Sequence, residues 1–312
     1  MGDLCQAVED RGGAPLDPDA SPERVLRELI MHALAERTSR NGGVISRTEL
    51  SDFDFGPKRR RRLIDTSKGI WNPRDLEATL SIVSSPDGPY ADKETEGGLF
   101  RYDYRAGSVE GDNVKLRRAM ELQLPVILLR KIATGVYVPI FPVYVVEDDK
   151  ANHQFRIALD ESLRFIASPL NPSEAEKRYA ERLTQQRLHQ PMFRGLVIRA
   201  YQTRCAVCRL HHGELLDAAH ITADSDETGY PVISNGLSLC KIHHAAYDRD
   251  LLGIRPDFVI QINSALLVEH DGPMLKHGLQ EMHNSPLWLP IRLSEMPDRD
   301  RLAARFEAFL AS

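Results

Sequence analysis

The sequence predicts an α+β protein in two parts, a mixed α+β unit over residues 21–170 and a metal-stapled unit over residues 171–312. Three observations predict it. Between Gly69 and Leu159, short β-like runs punctuated by Pro and Gly surround a single amphipathic helix. Ser168-Pro-Leu-Asn-Pro172-Ser173 has the composition of a linker. Beyond it, Cys205-x2-Cys208 is followed by Cys240-x2-His243, three thiolates and one imidazole at the spacing of a closed tetrahedral Zn²⁺ site.

Residues 1–20, rich in Gly, Pro and Asp, read as a disordered lead-in. Ser21 can cap a helix and Pro22 suits its first turn. Val25, Leu26, Leu29, Ile30, Ala33 and Leu34 then form one apolar stripe ending near Arg37. After the Asn41-Gly42-Gly43 turn, residues 44–46 and 47–50 read as a short strand entering a helix, a winged-helix-like opening. Strands are expected over 78–83, 99–104, 126–129, 137–146 and 155–159, with a helix over 113–122, together building a curved, barrel-like sheet. Pro139 and Pro142 lack ladder donors, so their strand is expected at an edge or bent. A charged helix should start at Glu174 and run to about Leu188, with Pro191 restarting it through Tyr201. Residues 251–254 and 259–262 read as strands, and 294–310 as a closing helix.

The chain of 312 residues is 42% hydrophobic and 27% charged, ordinary for globular protein. It has no run of about 18 apolar residues, the least that crosses a bilayer, so no membrane is expected as a partner. The first residues have neither a basic nor an apolar leader region, so a cytoplasmic location is expected. A CxxC, a CxxH and the outlying Cys5 fit metal binding in a reducing compartment better than disulfides. A net charge of −5 gives no whole-protein attraction for a polyanion. Phosphate contacts must therefore come from local patches, such as Lys58, Arg59, Arg60, Arg61 and Arg62, or the Lys/Arg-rich stretch 174–209; the plain alternative is a solvated charged face.

Within the second unit, Leu216-Asp-Ala-Ala-His220-Ile, Asn235-Gly-Leu-Ser-Leu-Cys240 and His243-His244-Ala-Ala-Tyr-Asp248 follow the CxxC in order. This succession resembles the HNH, or ββα-metal, domains of bacterial McrA-type restriction endonucleases. The resemblance implies two strands and a helix, with Cys205, Cys208, Cys240 and His243 holding structural zinc. It implies His220 as the general base, Asn235 as the residue that orients its loop, and His244 as ligand of a catalytic Mg²⁺ or Mn²⁺. Many HNH enzymes carry Asp or His immediately before the catalytic His, where this chain has Ala219. Asp248, four residues beyond His244 on a helix, can share the ion or make a helix-end hydrogen bond to backbone or to Arg249. Asp217 is the other candidate, although on an unbulged strand it faces away from His220. Arg194, in the segment His189-Gln-Pro-Met-Phe-Arg194 that also resembles these relatives, and Arg199 suit phosphate contacts.

The first unit carries Gly69-Ile-Trp-Asn-Pro73, Ser85-Pro-Asp-Gly-Pro-Tyr90, Tyr102-Asp-Tyr104-Arg105 and Asp112-Asn113-Val-Lys-Leu-Arg117. These look like the segment preceding HNH domains in predicted bacterial restriction endonucleases. By analogy with McrA relatives, an SRA-like or PUA-like reader of modified DNA is implied. Trp71, Tyr102, Tyr104, Arg105 and Asn113 could then stack on and hydrogen-bond a flipped base, or serve equally as core. The expected activity is metal-dependent hydrolysis of double-stranded DNA in restriction, with modified cytosine as the expected target and a homodimer as one route to cutting both strands. One alternative is an HNH nuclease whose first unit senses a defence signal or partner protein. Another is a silent DNA-binding protein with a purely structural zinc module.

Overall fold

The computed structural model describes residues 21–85, 93–94, 99–105, 111–165 and 173–312. The expected lead-in over 1–20 and all of the expected linker except Ser173 lie outside the described residues. The chain divides into two compact units, one comprising Met1–Thr38 and Val44–His189, the other Ser39–Gly43 and Gln190–Ser312.

In the first unit, α1 (Pro22–Arg40) begins where Ser21 Oγ accepts from the Arg24 amide at 3.3 Å, and it runs on past the expected end near Arg37. Its stripe is buried against Ile45, Leu50, Leu63, Ile127 and Leu129. Arg27, on the same helix, is fully buried. Its guanidinium donates to the carbonyls of Thr79 (2.8 Å), Pro125 (2.6 Å) and Ala78 (2.9 Å) and to Glu23 (2.6 Å), so the buried charge is both paired and hydrogen-bonded.

Strand β1 (Ile45–Ser46) enters α2 (Arg47–Ser51) through a capping box between Ser46 and Glu49. It does not form a winged-helix opening, because Ile45 pairs with Tyr137 and so joins β1 to the main sheet. A hairpin follows, β2 (Phe53–Gly56) and β3 (Arg59–Arg61). Strands β4 (Ile70–Trp71), β5 (Ser81–Ser84), β6 (Lys93–Glu94), β7 (Phe100–Asp103), β8 (Val126–Ala133), β9 (Val136–Asp149) and β10 (Gln154–Ala158) lie in the order β4-β5-β8-β9-β10-β7-β6, with α3 (Asn113–Glu121) between β7 and β8 in sequence. Among the described residues only the β5–β8 pairing in this sheet is parallel. The sheet is a curled half-barrel, open along its path from β4 to β6.

β9 lies inside the sheet, not at an edge, and the reason its prolines are tolerated is local. On one side of β9, β1 pairs as far as Tyr137 and β10 begins at Tyr144. Pro139 and Pro142 fall in the gap between these partners. Pro142 also falls where the β8 register shifts, between Ile140 and Val143, so its missing N–H removes no ladder bond there.

Helix α4 (Glu174–Thr184), capped by a Ser173–Glu176 box, continues through a π turn (Gln185–His189) into α5 (Gln190–Ala200). Pro191 sits in the first turn of α5, and its i−4 residue, Arg187, lies in the wider π turn, which relieves the clash a proline ring makes in a regular helix. In the second unit α5 packs on a hairpin of β11 (Leu216–His220) and β12 (Gly236–Cys240), followed by α6 (Lys241–Asp248). Then come β13 (Leu252–Ile254) paired with β14 (Ile260–Ile262), α7 (Ser264–Leu267), α8 (Pro273–Gly278) and α9 (Arg299–Ala311). One core joins them through Phe193, Val197, Tyr201, Leu216, Leu239, Tyr247, Leu252 and Leu302. Gly236 permits the close approach of α5, since a Cβ there would lie 2.3 Å from Val197 Cγ2 and 2.9 Å from Phe193 Cζ.

Candidate functional site

The ligand atoms of Cys205, Cys208, Cys240 and His243 all lie within 4.8 Å of one another. The Cys205 end is a tight turn, with the Arg209 amide donating to Cys205 O at 2.9 Å, and Ala206 N tied to Ser238 O on β12 at 2.7 Å. Cys240 closes β12, and His243 follows it in the first turn of α6. His243 Nδ1 lies 3.1 Å from Cys240 Sγ and 3.5 Å from Cys205 Sγ. Its Nε2 lies 2.6 Å from Gly278 O, a hydrogen bond that puts the ring proton there and leaves Nδ1 free to ligate. This donor set fits Zn²⁺.

On the other side of the hairpin, β11 and β12 pair without a bulge from Leu216↔Cys240 to His220↔Gly236. His220 therefore stands at the strand end. Its imidazole stacks on Phe193, with centroids 4.0 Å apart and planes 15° apart. Burial lowers its pKa from the ordinary 6.5, and His244 pushes the same way while Asp224 opposes. His220 Nε2 has no hydrogen-bond partner among the described residues and lies 3.9 Å from Asp224 Oδ1. The result is an imidazole whose neutral form is favoured and whose Nε2 is buried with no described residue engaging it. Asn235 is fully buried and clasps the loop between the strands. Its amide donates to Thr222 O (3.0 Å) and Tyr230 O (3.1 Å), and its Oδ1 accepts from Thr222 N (2.8 Å).

His244 lies between two carboxylates, with Nδ1 3.6 Å from Asp217 Oδ2 and Nε2 3.4 Å from Asp248 Oδ2. Asp217 does face away from His220 on the regular strand, but that direction points it at α6 and His244. His244, reinforced by Lys241, holds the Asp217 carboxyl down at about 2 against partial burial; Asp217 in turn raises His244. Lys241 Nζ sits 2.5 Å from Asp217 Oδ2. Arg194 is less available than its sequence position suggests. Its Nη2 donates to Gly213 O (2.8 Å) and Leu216 O (2.9 Å), its Nε lies 3.8 Å from Asp217 Oδ1, and the side chain is largely buried. It anchors β11 instead of facing solvent, whereas Arg199 is exposed.

In the first unit the basic run spans the end of the turn, the second strand of the β2–β3 hairpin and the residue after it. Arg60 pairs with Asp52 and Asp54, and Arg61 with Asp75, so part of its charge is already matched. Lys58 and Arg62 are exposed and Arg59 half-buried; Arg62 also lies over the Trp71 ring at 5.9 Å. Trp71 is half-buried, its ring N–H donating to Arg62 O at 2.9 Å. Tyr102 is fully buried, its hydroxyl donating to Gly69 O (2.9 Å) and accepting from Arg105 Nε (2.8 Å). Tyr104 is buried and donates to Asp148, which also pairs with Arg117. Asn113 is buried and accepts from Arg105 N at 3.5 Å, and the Arg105 guanidinium covers the Tyr102 ring at 4.3 Å. In this conformation Tyr102, Tyr104 and Asn113 are buried and offer no open face for a base. Phe193, Asp224, Lys241 and Gly278 belong to the second unit's site although the motif did not single them out. Only Lys241, next to a cysteine ligand, and Phe193, next to Arg194, carried a positional hint.

Residues 205–255 match the HNH endonuclease family, and the hairpin, helix and Cys/His cluster just described form an HNH endonuclease domain. Two solved structures are similar to the chain. One is a modification dependent TagI restriction endonuclease, with 19% identity, a TM-score of 0.26, and coverage of 77% of this chain and 85% of that one. The other is the type IV phosphorothioation-dependent restriction endonuclease ScoMcrA, with 15% identity, a TM-score of 0.20, and coverage of 58% of this chain and 48% of that one. No curated protein matches the sequence.

Proposed function

We propose that the chain is a metal-dependent DNA endonuclease of a restriction system, cutting phosphodiester bonds at the HNH domain. One observation carries this reading: a stacked His220 whose Nε2 no described residue engages stands on the same hairpin as Asp217, and the helix that follows brings His244 to Asp217 and Asp248, inside the segment that matches the HNH family. His220 takes the proton of the attacking water. Asp224, 3.9 Å away, favours the imidazolium so formed. Asn235 keeps the loop closed and so fixes the base. His244 through Nδ1 and Asp217 would hold Mg²⁺ or Mn²⁺, a nitrogen and oxygen pair suited to such an ion, with the rest of its shell left to water and phosphate. When bound, that ion supplies charge stabilisation to the phosphorane and the departing 3′ oxygen. We assign the second ligand to Asp217 over Asp248, because Asp217 is the less exposed and Arg194 approaches its other oxygen. Asp248, 3.4 Å from His244 Nε2, then favours the tautomer with its proton on that nitrogen.

Double-stranded DNA carrying modified cytosine is the proposed substrate, selected by the first unit through its half-barrel, with Arg199, Lys58 and Arg59 on phosphates. The enclosed Tyr102, Tyr104 and Asn113 favour a second reading, in which the first unit recognises a partner or signal and flips no base. Cleavage of supercoiled plasmid with Mg²⁺, with and without modified cytosine, tests both. Faster cutting of the modified plasmid is expected. Equal cutting of both turns the assignment to the second reading, and no cutting of either overturns the nuclease.

A further inference from the structure

The Asp217 carboxylate is ringed by cations. Lys241 Nζ touches Oδ2 at 2.5 Å, His244 Nδ1 lies 3.6 Å from the same oxygen, and Arg194 Nε lies 3.8 Å from Oδ1. The oxygen of Asp217 nearest His244 is the Oδ2 that Lys241 occupies, so a divalent ion on Asp217 and His244 competes with a cation already there. Arg194 is pinned by the carbonyls of Gly213 and Leu216, and His244 is itself the proposed ligand. Lys241 is the one that can leave, since its side chain is 58% exposed at the start of α6 and Asp217 is the single carboxylate it pairs with among the described residues.

We propose, resting on the metal assignment above, that Lys241 is a resident cation that neutralises Asp217 in the ion-free enzyme and is displaced when the divalent ion binds. The ammonium holds the carboxylate in place beside His244 while no metal is present. It also opposes metal binding, so it sets the ion concentration at which the site fills. Once displaced, Lys241 stands free beside the metal.

Two measurements on the zinc-loaded full chain test this with Mn²⁺ as the probe; zinc outcompetes Mn²⁺ at the Cys/His cluster, so the probe reports on the other site. The first is acetylation of Lys241, read by peptide mass spectrometry against exposed Lys150 as reference. Saturating Mn²⁺ should raise Lys241 labelling about threefold or more, because an amine no longer held against the Asp217 carboxylate is open to the reagent. The second is Mn²⁺ affinity by electron paramagnetic resonance. Lys241→Gln should bind about three- to fivefold tighter, the gain expected when one exposed ion pair no longer has to be broken. Lys241 labelling that stays constant while Mn²⁺ binds, or affinity that is unchanged in Lys241→Gln, overturns the proposal. Asp217→Asn separates it from the reading beneath: Mn²⁺ binding that survives that change overturns the ligand assignment as well. Binding lost in Asp217→Asn with Lys241 labelling unmoved by Mn²⁺ in the wild type overturns the displacement alone.

Discussion

Replacing Phe193 by Leu removes the planar partner of His220 while keeping an apolar side chain in its place. Phe193 is 3% exposed, and its ring lies 4.0 Å from that of His220. Ala would open a cavity costing about 3–5 kcal/mol, enough to confuse unfolding with misplacement. Leu forfeits mainly the ring pairing, about 0.5–1.5 kcal/mol, so the melting temperature should fall by about 2–6 °C. Burial is the main cause of the lowered His220 pKa, so a looser contact lets water in and returns the value towards 6.5. The sign follows from the neutral form being favoured in the folded state. His220's contribution to stability is complete above 6.5 and is lost as pH falls through the lower folded value, less steeply in the variant. The general base fails on the same side: the acid limb of the single-turnover cleavage rate should lie below 6.5 in the wild type and move up towards it in Phe193→Leu. The plateau rate should drop about tenfold, as a misplaced base predicts. A folded variant with unchanged plateau and unchanged acid limb would refute the idea that Phe193 holds and dries the base.

Other expectations address the remaining parts. Removing zinc by chelation, or changing Cys240 to Ala, should unfold the second unit, because metal binding is part of its folding free energy; circular dichroism with metal analysis reads this, and an intact unit without zinc contradicts it. Arg194→Ala should destabilise by about 1–3 kcal/mol, since it strands the Gly213 and Leu216 carbonyls, as thermal melts would show. Arg199→Ala should leave the melt unchanged and lower the salt slope of DNA binding by about 0.9. Tyr102→Phe, which deletes hydrogen bonds to Gly69 and from Arg105, should lose about 1 kcal/mol of stability without altering any preference between modified and unmodified duplexes. Neutralising Lys58 and Arg59 should weaken binding to both duplexes equally.

The sequence was most legible where chemistry constrains spacing. A Cys–Cys pair and a Cys–His pair of ligands, an alternating strand and a histidine at a helix start can meet only in a few ways, and the ββα unit has that arrangement. The large sheet was legible as strands but not as an order. Pairing β1 with β9, or running β5 parallel to β8, depends on contacts between distant segments that no local pattern encodes. Pro139 and Pro142 argued soundly against an interior strand, yet they sit in a gap between two partners that only the assembled sheet creates. Asp217 shows the same limit. Alternation correctly turned it away from His220, while α6, which brings His244 to that face, was visible only as the next helix. The aromatic residues of β7 could read as a base-stacking wall or as core, and burial alone distinguishes these uses.

The most direct test compares wild type with His220→Ala, both zinc-loaded, in single-turnover cleavage of duplex DNA with saturating Mg²⁺. Loss of the general base should slow cutting roughly 10²–10⁴-fold while DNA affinity stays the same, because His220 accepts a proton and grips no phosphate. Near-wild-type cleavage by His220→Ala, or a loss of rate that tracks a loss of DNA binding, would contradict the account.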